Sequence, residues 1–140
     1  MTRQLAFAAL LLLGACSSDI ATFSEQRDIA ARWEAQNVQP VNYKSDVLAY
    51  MRTYLNNPER VRSAALAPPL LKSIGPGDRY VACVRYNARD SDGKYMGLKE
   101  GAAVYVSGRL DRFLDQPKLT HEICKDAAYA PFPELEKLMR

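Results

Sequence analysis

The sequence predicts a single α+β domain: a three- to four-stranded antiparallel meander with one main helix packed on one face. Three stretches carry that prediction. Residues 79–86 are rich in β-branched and aromatic side chains and alternate, with Tyr80, Ala82, Val84 and Tyr86 on one face and Arg79, Val81, Cys83 and Arg85 on the other. Residues 102–106 and 109–114 form two further strand-like runs around the tight-turn pair Ser107-Gly108. Residues 43–55 place Val47, Leu48, Met51 and Leu55 at i, i+4 spacing, with Tyr50 and Tyr54 at the margin of that stripe.

The chain opens with Arg3 and then an uncharged run from Leu5 to Leu13. That run is too short to span about 30 Å of hydrocarbon, which takes roughly 20 apolar residues in a helix. A positive start, a short apolar core and small residues after it make a secretory signal. Leu13-Gly14-Ala15-Cys16 then resembles the lipobox of bacterial lipoproteins. The resemblance implies that residues 1–15 are a signal peptide and that Cys16 is the first mature residue. In that family the thiol carries a diacylglyceryl group and the new amine is usually acylated. Two or more acyl chains hold a protein stably on a bilayer, at about 0.8 kcal/mol per buried methylene. In the enterobacterial version of the family, an aspartate directly after the cysteine retains the protein at the inner membrane. Here Ser17 follows and Asp19 comes two positions later, so the expected address is the periplasmic face of the outer membrane.

Residues 16–42 read as a tether. Within it residues 27–35 form a short helix with Ile29 and Trp33 one turn apart, and Trp33 either packs on the domain or lies among lipid headgroups. The domain itself is residues 43–140. Asn42 or Ser45 caps its first helix, and Asn56-Asn57-Pro58 stops it. Asn57 before Pro58 has the form of a cap and first residue of a second short helix over residues 58–65. Residues 66–74 contain Pro68-Pro69 and read as an extended connector or edge strand, followed by the turn Gly75-Pro76-Gly77-Asp78. Residues 87–101 form a long, charged connection between the first two meander strands, of which residues 94–98 extend the ladder. Tyr129-Ala130-Pro131-Phe132-Pro133 is extended with docked aromatics, and a last helical turn points Leu135 and Leu138 inward.

Cysteine parity supports the lipid. With Cys16 acylated, Cys83 and Cys124 remain, free to pair in an oxidising compartment. Their bridge closes a loop of about 40 residues, for which chain entropy gives roughly 4 kcal/mol. The balanced formal charge of +3 gives no argument for nucleic acid.

No catalytic or metal-ligating pattern is complete. His121-Glu122 begins a zinc-protease motif, but Lys125 stands where the second histidine belongs. Asp90-Ser91-Asp92-Gly93 hints at a calcium loop, yet its register puts Ala88 and Lys99 at ligand positions. The expectation is therefore no cofactor and no metal. The body resembles small single-domain envelope lipoproteins of Gram-negative bacteria, a resemblance of plan that carries no site residues. The expected function is a non-enzymatic interaction module of the cell envelope. Its partner would be an envelope protein or the cell wall, met through Tyr80, Arg85, Arg89, Asp90 and Asp92. An envelope hydrolase with an unfamiliar site and a small-molecule or lipid carrier are the alternatives.

Overall fold

The computed structural model describes residues 20–139, with side chains from residue 23. The lipobox and Cys16 lie outside the described residues. The order of elements is α1 (Ile20–Ala35), α2 (Tyr43–Tyr54), β1 (Asn57–Leu66), β2 (Leu70–Ile74), β3 (Gly77–Arg89), β4 (Lys99–Val106), β5 (Arg109–Leu114), α3 (Pro117–Cys124), β6 (Ala130–Pro131) and α4 (Pro133–Glu136). The fold is α+β in one domain, with an antiparallel sheet as expected. It is larger than the expected meander: the described residues form six strands in place of three or four, and four helices in place of one main helix.

The sheet runs β5-β4-β3-β1-β6, and β2 also pairs with β3. Strand β3 is long enough to hold two partners on one edge. Its first half pairs with β2, from Ile74↔Gly77 to Leu70↔Val81, and its second half with β1, from Leu66↔Val84 to Asn57↔Arg89. β1 and β2 are thus one edge interrupted between them. Ala67 still donates to Cys83 O at 2.9 Å, and then Pro68 and Pro69, lacking N–H groups, end the ladder. The expected edge strand of this region is β2.

The helix expected over residues 58–65 is instead β1. Its buried residues are Pro58, Val61, Ala64 and Leu66, a period near three that imitates a helical stripe. The cause is bulging. Register shifts fall between Asn57 and Arg62 and between Arg62 and Ala65, with Arg60 and Ser63 at φ +56° and +52°. Each extra residue rotates the strand and re-aims the next side chain at the core.

Both faces of β3 are buried, with the alternation read from the sequence. Ala82, Val84 and Tyr86 join Ala103 and Tyr105 of β4 beneath Val47 and Met51 of α2, Leu55 just after it, and Phe132, Leu135 and Leu138 of the C-terminal segment. Val81 and Cys83 join Ala102 and Val104 beneath Ile123 and Cys124 of α3. The Cys83–Cys124 disulfide, Cα–Cα 5.8 Å, fastens α3 to this second face. Asn42 occupies the cap position of α2, but its side chain makes no cap bond; Ser45 Oγ donates to Asn42 O at 2.8 Å. The C-terminal aromatics dock on opposite faces: Tyr129 against the second, Phe132 within the first, with β6 between them pairing Ala65 and Leu66 of β1.

The segment between α1 and α2 wraps the end of the sheet where both hairpins turn. Arg79, only 4% exposed, lies 3.7 Å from the Trp33 ring and donates to Trp33 O at 2.8 Å and Gln36 Oε1 at 2.9 Å. Trp33 packs over Gly77, where a Cβ would press on it, and Ser107 N donates to Gln36 O at 2.7 Å. Of the two placements open to Trp33, the structure shows packing on the domain.

Loss of the disulfide should cost about 4 kcal/mol by loop entropy. A Cys83→Ala/Cys124→Ala variant, unfolded in urea beside the oxidised protein, should show a midpoint lowered accordingly. Equal midpoints would contradict the role given to the bridge.

Candidate functional site

Of the five residues expected to form one interaction surface, Arg89 and Asp90 line one hollow, while Tyr80 and Arg85 lie on opposite faces of the sheet. Tyr80 packs, half-buried, against the first face. Arg85 is on the second, where its Nε donates to Glu100 Oε2 at 2.9 Å and its guanidinium lies 4.1 Å from the Tyr129 ring. Tyr129 OH donates to the same Glu100 oxygen at 2.6 Å. This network clamps the C-terminal segment onto β3 and β4. Asp90 folds its own turn, with Oδ1 accepting from the backbone N–H of Asp92 at 3.0 Å and of Lys94 at 2.9 Å. Asp92 is exposed. Arg89 Nη2 donates to Asn57 Oδ1 at 3.3 Å and Glu59 O at 3.2 Å, joining the bulged start of β1 to β3.

The charged connection after β3 is tied down along its length. Met96 N donates to Ala88 O at 3.0 Å, Gly97 N to Asn87 Oδ1 at 3.0 Å, and Tyr95 OH to Arg60 O at 2.7 Å. It adds one isolated bridge, Arg89↔Tyr95, rather than extending β4 through residues 94–98. The rim it presents is apolar, with Met96 and Leu98 more than half exposed.

Behind that rim lie two hollows that the sequence did not disclose. They sit side by side at the end of the sheet away from Trp33, and Tyr54, Tyr86 and Lys99 line both. One, about 360 Å³, continues to Leu98, Glu100, Asp115 and His121. The other, about 320 Å³, continues to Leu55, Ala88, Arg89 and Met96. Lys99 is directly opposite Tyr86 across the β3–β4 ladder, so its stem rises from the first face between the two hollows.

The wall of this cleft is built from the core outward. Phe113 packs against Tyr50 and Tyr54, ring centroids 4.9 and 5.1 Å away, while Tyr50 and Tyr54 stack at 5.3 Å. The Phe113 ring lies on Gly101, where a Cβ would overlap it. Glycine there lets the aromatic column reach the sheet, and the column holds Tyr54 so that its OH donates to Asp115 Oδ2 at 2.7 Å. No proximity in sequence links residues 54, 86, 99 and 115; only the topology gathers them.

Burial pushes the Tyr54 phenol far above its ordinary value, with the Asp115 hydrogen bond adding to it. Burial also raises Tyr86 and Tyr50, and raises Tyr105 and Tyr129 further, the last with help from Glu100. His121 is exposed at the rim, and among the described residues no group of three or more His, Cys, Asp or Glu is placed to hold a metal. No protein-family model, curated protein or solved structure matches the chain.

These phenols keep their protons in the folded state at pH values where an unfolded chain begins to lose them, near 10.0. Their contribution to stability is complete below that pH and is lost as pH rises through the folded values. An alkaline titration should show tyrosinate absorbance from this group appearing only together with loss of the far-ultraviolet circular dichroism. A single wave from all eight tyrosines, centred near pH 10 with the fold intact, would contradict the burial argument.

Proposed function

We propose that the protein is a lipid-anchored, periplasm-facing module of the outer membrane that recognises a partner through the cleft around Lys99, without catalysing a reaction. The observation that carries the reading is the polarity of the domain along its strands. The segment leading from Cys16 docks by Trp33 and Gln36 at one end of the sheet, and the cleft opens at the other. β4 runs from Lys99 to Val106, so the two ends are roughly 25 Å apart at about 3.3 Å per residue. An anchor at Cys16 then holds one end of the domain while the apolar rim of Met96 and Leu98 meets what approaches the other.

Recognition fits the cleft's chemistry better than hydrolysis. Its carboxylates are engaged with neighbours: Glu100 with Arg85 and Tyr129, Asp115 with Tyr54. A histidine general base is ordinarily oriented by a hydrogen-bonded partner, and His121 stands exposed at the rim with no such bond to Asp115, whose Oδ2 accepts from Tyr54. Exposed apolar residues rimmed by polar ones are the usual mark of a contact surface. The envelope-hydrolase reading keeps one supporting observation, the presence of Asp115, Lys99 and His121 around a single hollow.

Two readouts test the proposal in cells. Cys16→Ser should move the protein from the membrane fraction to the soluble periplasm. A photo-crosslinker at position 98 should capture a discrete envelope partner that the same group at position 41, exposed near the opposite end, does not. Identical adducts from the two positions, or none from position 98, would overturn the recognition surface. A Cys16→Ser protein that stays in the membrane would overturn the anchor.

A further inference from the structure

The hollow on the Arg89 side of Lys99 has an unbalanced set of donors. Arg89 Nε is buried and has no acceptor among the described residues. Its guanidinium cannot swing outward to find one without breaking the Nη2 bonds to Asn57 Oδ1 and Glu59 O. A buried donor left unpaired costs about 1–3 kcal/mol, so a matching acceptor at this point is stabilising. Lys99 lines the same hollow, and its ammonium has no ionic or hydrogen-bond partner among the described residues. Its neighbour Glu100 points to the other face of the sheet and is held by Arg85. The carboxylate that also lines the hollow, Asp90, already accepts two backbone N–H groups through Oδ1.

The remaining walls are mixed: Leu55 just after α2, Ala88 on β3 and Met96 on the rim are apolar, while Asn56 and the rings of Tyr54 and Tyr86 complete the lining. At about 320 Å³ the hollow is at the small end of the range for ligand sites, about 300–1,000 Å³. Two cations beside one carboxylate leave a net single positive charge, which suits a monoanion better than a phosphate dianion. With Nη2 already given to Asn57 Oδ1 and Glu59 O, Arg89 offers a ligand one charge-assisted bond from Nε–H, for which a carboxylate oxygen is a matching acceptor.

We propose that this hollow binds a carboxylate carried on a small apolar body. One oxygen would accept from Arg89 Nε–H, the charge would be met by Lys99, and the apolar part would lie against Leu55, Ala88 and Met96. The C-terminus of a short peptide and a small free carboxylic acid both have this chemistry. The assignment rests on the reading that this cleft is the recognition surface, and it names what that surface grips.

The test uses the full-length protein in detergent micelles and three probes: N-acetyl-Ala-Ala, its C-terminal amide, and butyrate. N-acetyl-Ala-Ala should bind by calorimetry or amide chemical-shift change, with shifts mapping to residues 88–99. The amide should bind at least about tenfold more weakly, and Lys99→Gln should weaken the acid by about tenfold, or roughly 1.4 kcal/mol. Lys99 is exposed and makes no bond that the fold needs, so this variant should remain folded. Butyrate binding as well as the peptide would identify a free acid as the natural class; a clear preference for the peptide would identify a C-terminus. Equal binding of acid and amide, or no binding of the acid at about 10 mM, would overturn the assignment. If the acid fails while position 98 still captures its partner, the ligand class is wrong and the recognition surface stands. If the acid binds while that capture fails, the reverse holds.

Discussion

Strand β3 must be covered twice. Val81, Ala82, Cys83 and Val84 are four consecutive residues with almost no exposed surface, so neither face of this strand can be left to solvent. A three-stranded meander with one helix would bury one face and leave the other wet. The second cover is α3, eight residues long and too short to be stable by its own hydrogen bonds. The disulfide from the middle of β3 to the end of α3 supplies the constraint that a larger apolar interface would otherwise provide. The rest of the architecture follows: α2 and α4 on one side, α3 on the other, and the broken β1–β2 edge lying along a strand long enough to serve both.

With both faces closed, the ends of the sheet are where polar groups can meet solvent and one another. One end is taken by the segment between the first two helices, held by the buried Arg79 and the Trp33 ring. At the other end α2 stops after Tyr54, β5 stops after Leu114, and the charged connection folds over the start of β4. The cleft is the space these three terminations leave. Its rigidity comes from the interior, because the Tyr50–Phe113–Tyr54 column stands on Gly101 and fixes the Tyr54 hydroxyl on Asp115.

Much of this was legible one element at a time. The alternation of residues 79–86 gave the correct faces, the stripe of residues 43–55 gave α2 almost to the residue, and parity paired the two cysteines. The errors have physical causes. Bulges at Arg60 and Ser63 turned β1 into a strand with a period near three, a pattern ordinarily diagnostic of helix. α3 went unread although Pro117 stands at its first position, a favoured place for proline, because eight residues carry too short a stripe to read and their burial depends on the bridge to Cys83. The cleft was hidden for a different reason. Tyr54, Tyr86, Lys99 and Asp115 carry no mutual spacing signal; Arg89 and Asp90 were singled out from the sequence, but only the fold shows that they share a hollow with Lys99. The residues chosen from the sequence were Tyr80 and four charged neighbours, and folding used Tyr80, Arg85 and Asp90 internally.

The claim beneath the whole account is that the doubly covered centre of β3 is the last part of the molecule to open, and native-state hydrogen exchange reads that directly. The amides of residues 81–84 should exchange only through global unfolding, at the free energy found by denaturant, while those of α1 exchange through local opening far below it. Residues 81–84 exchanging by a cheaper local route than the α2 amides would contradict the account, because a strand that opens while its covers persist is not what holds them.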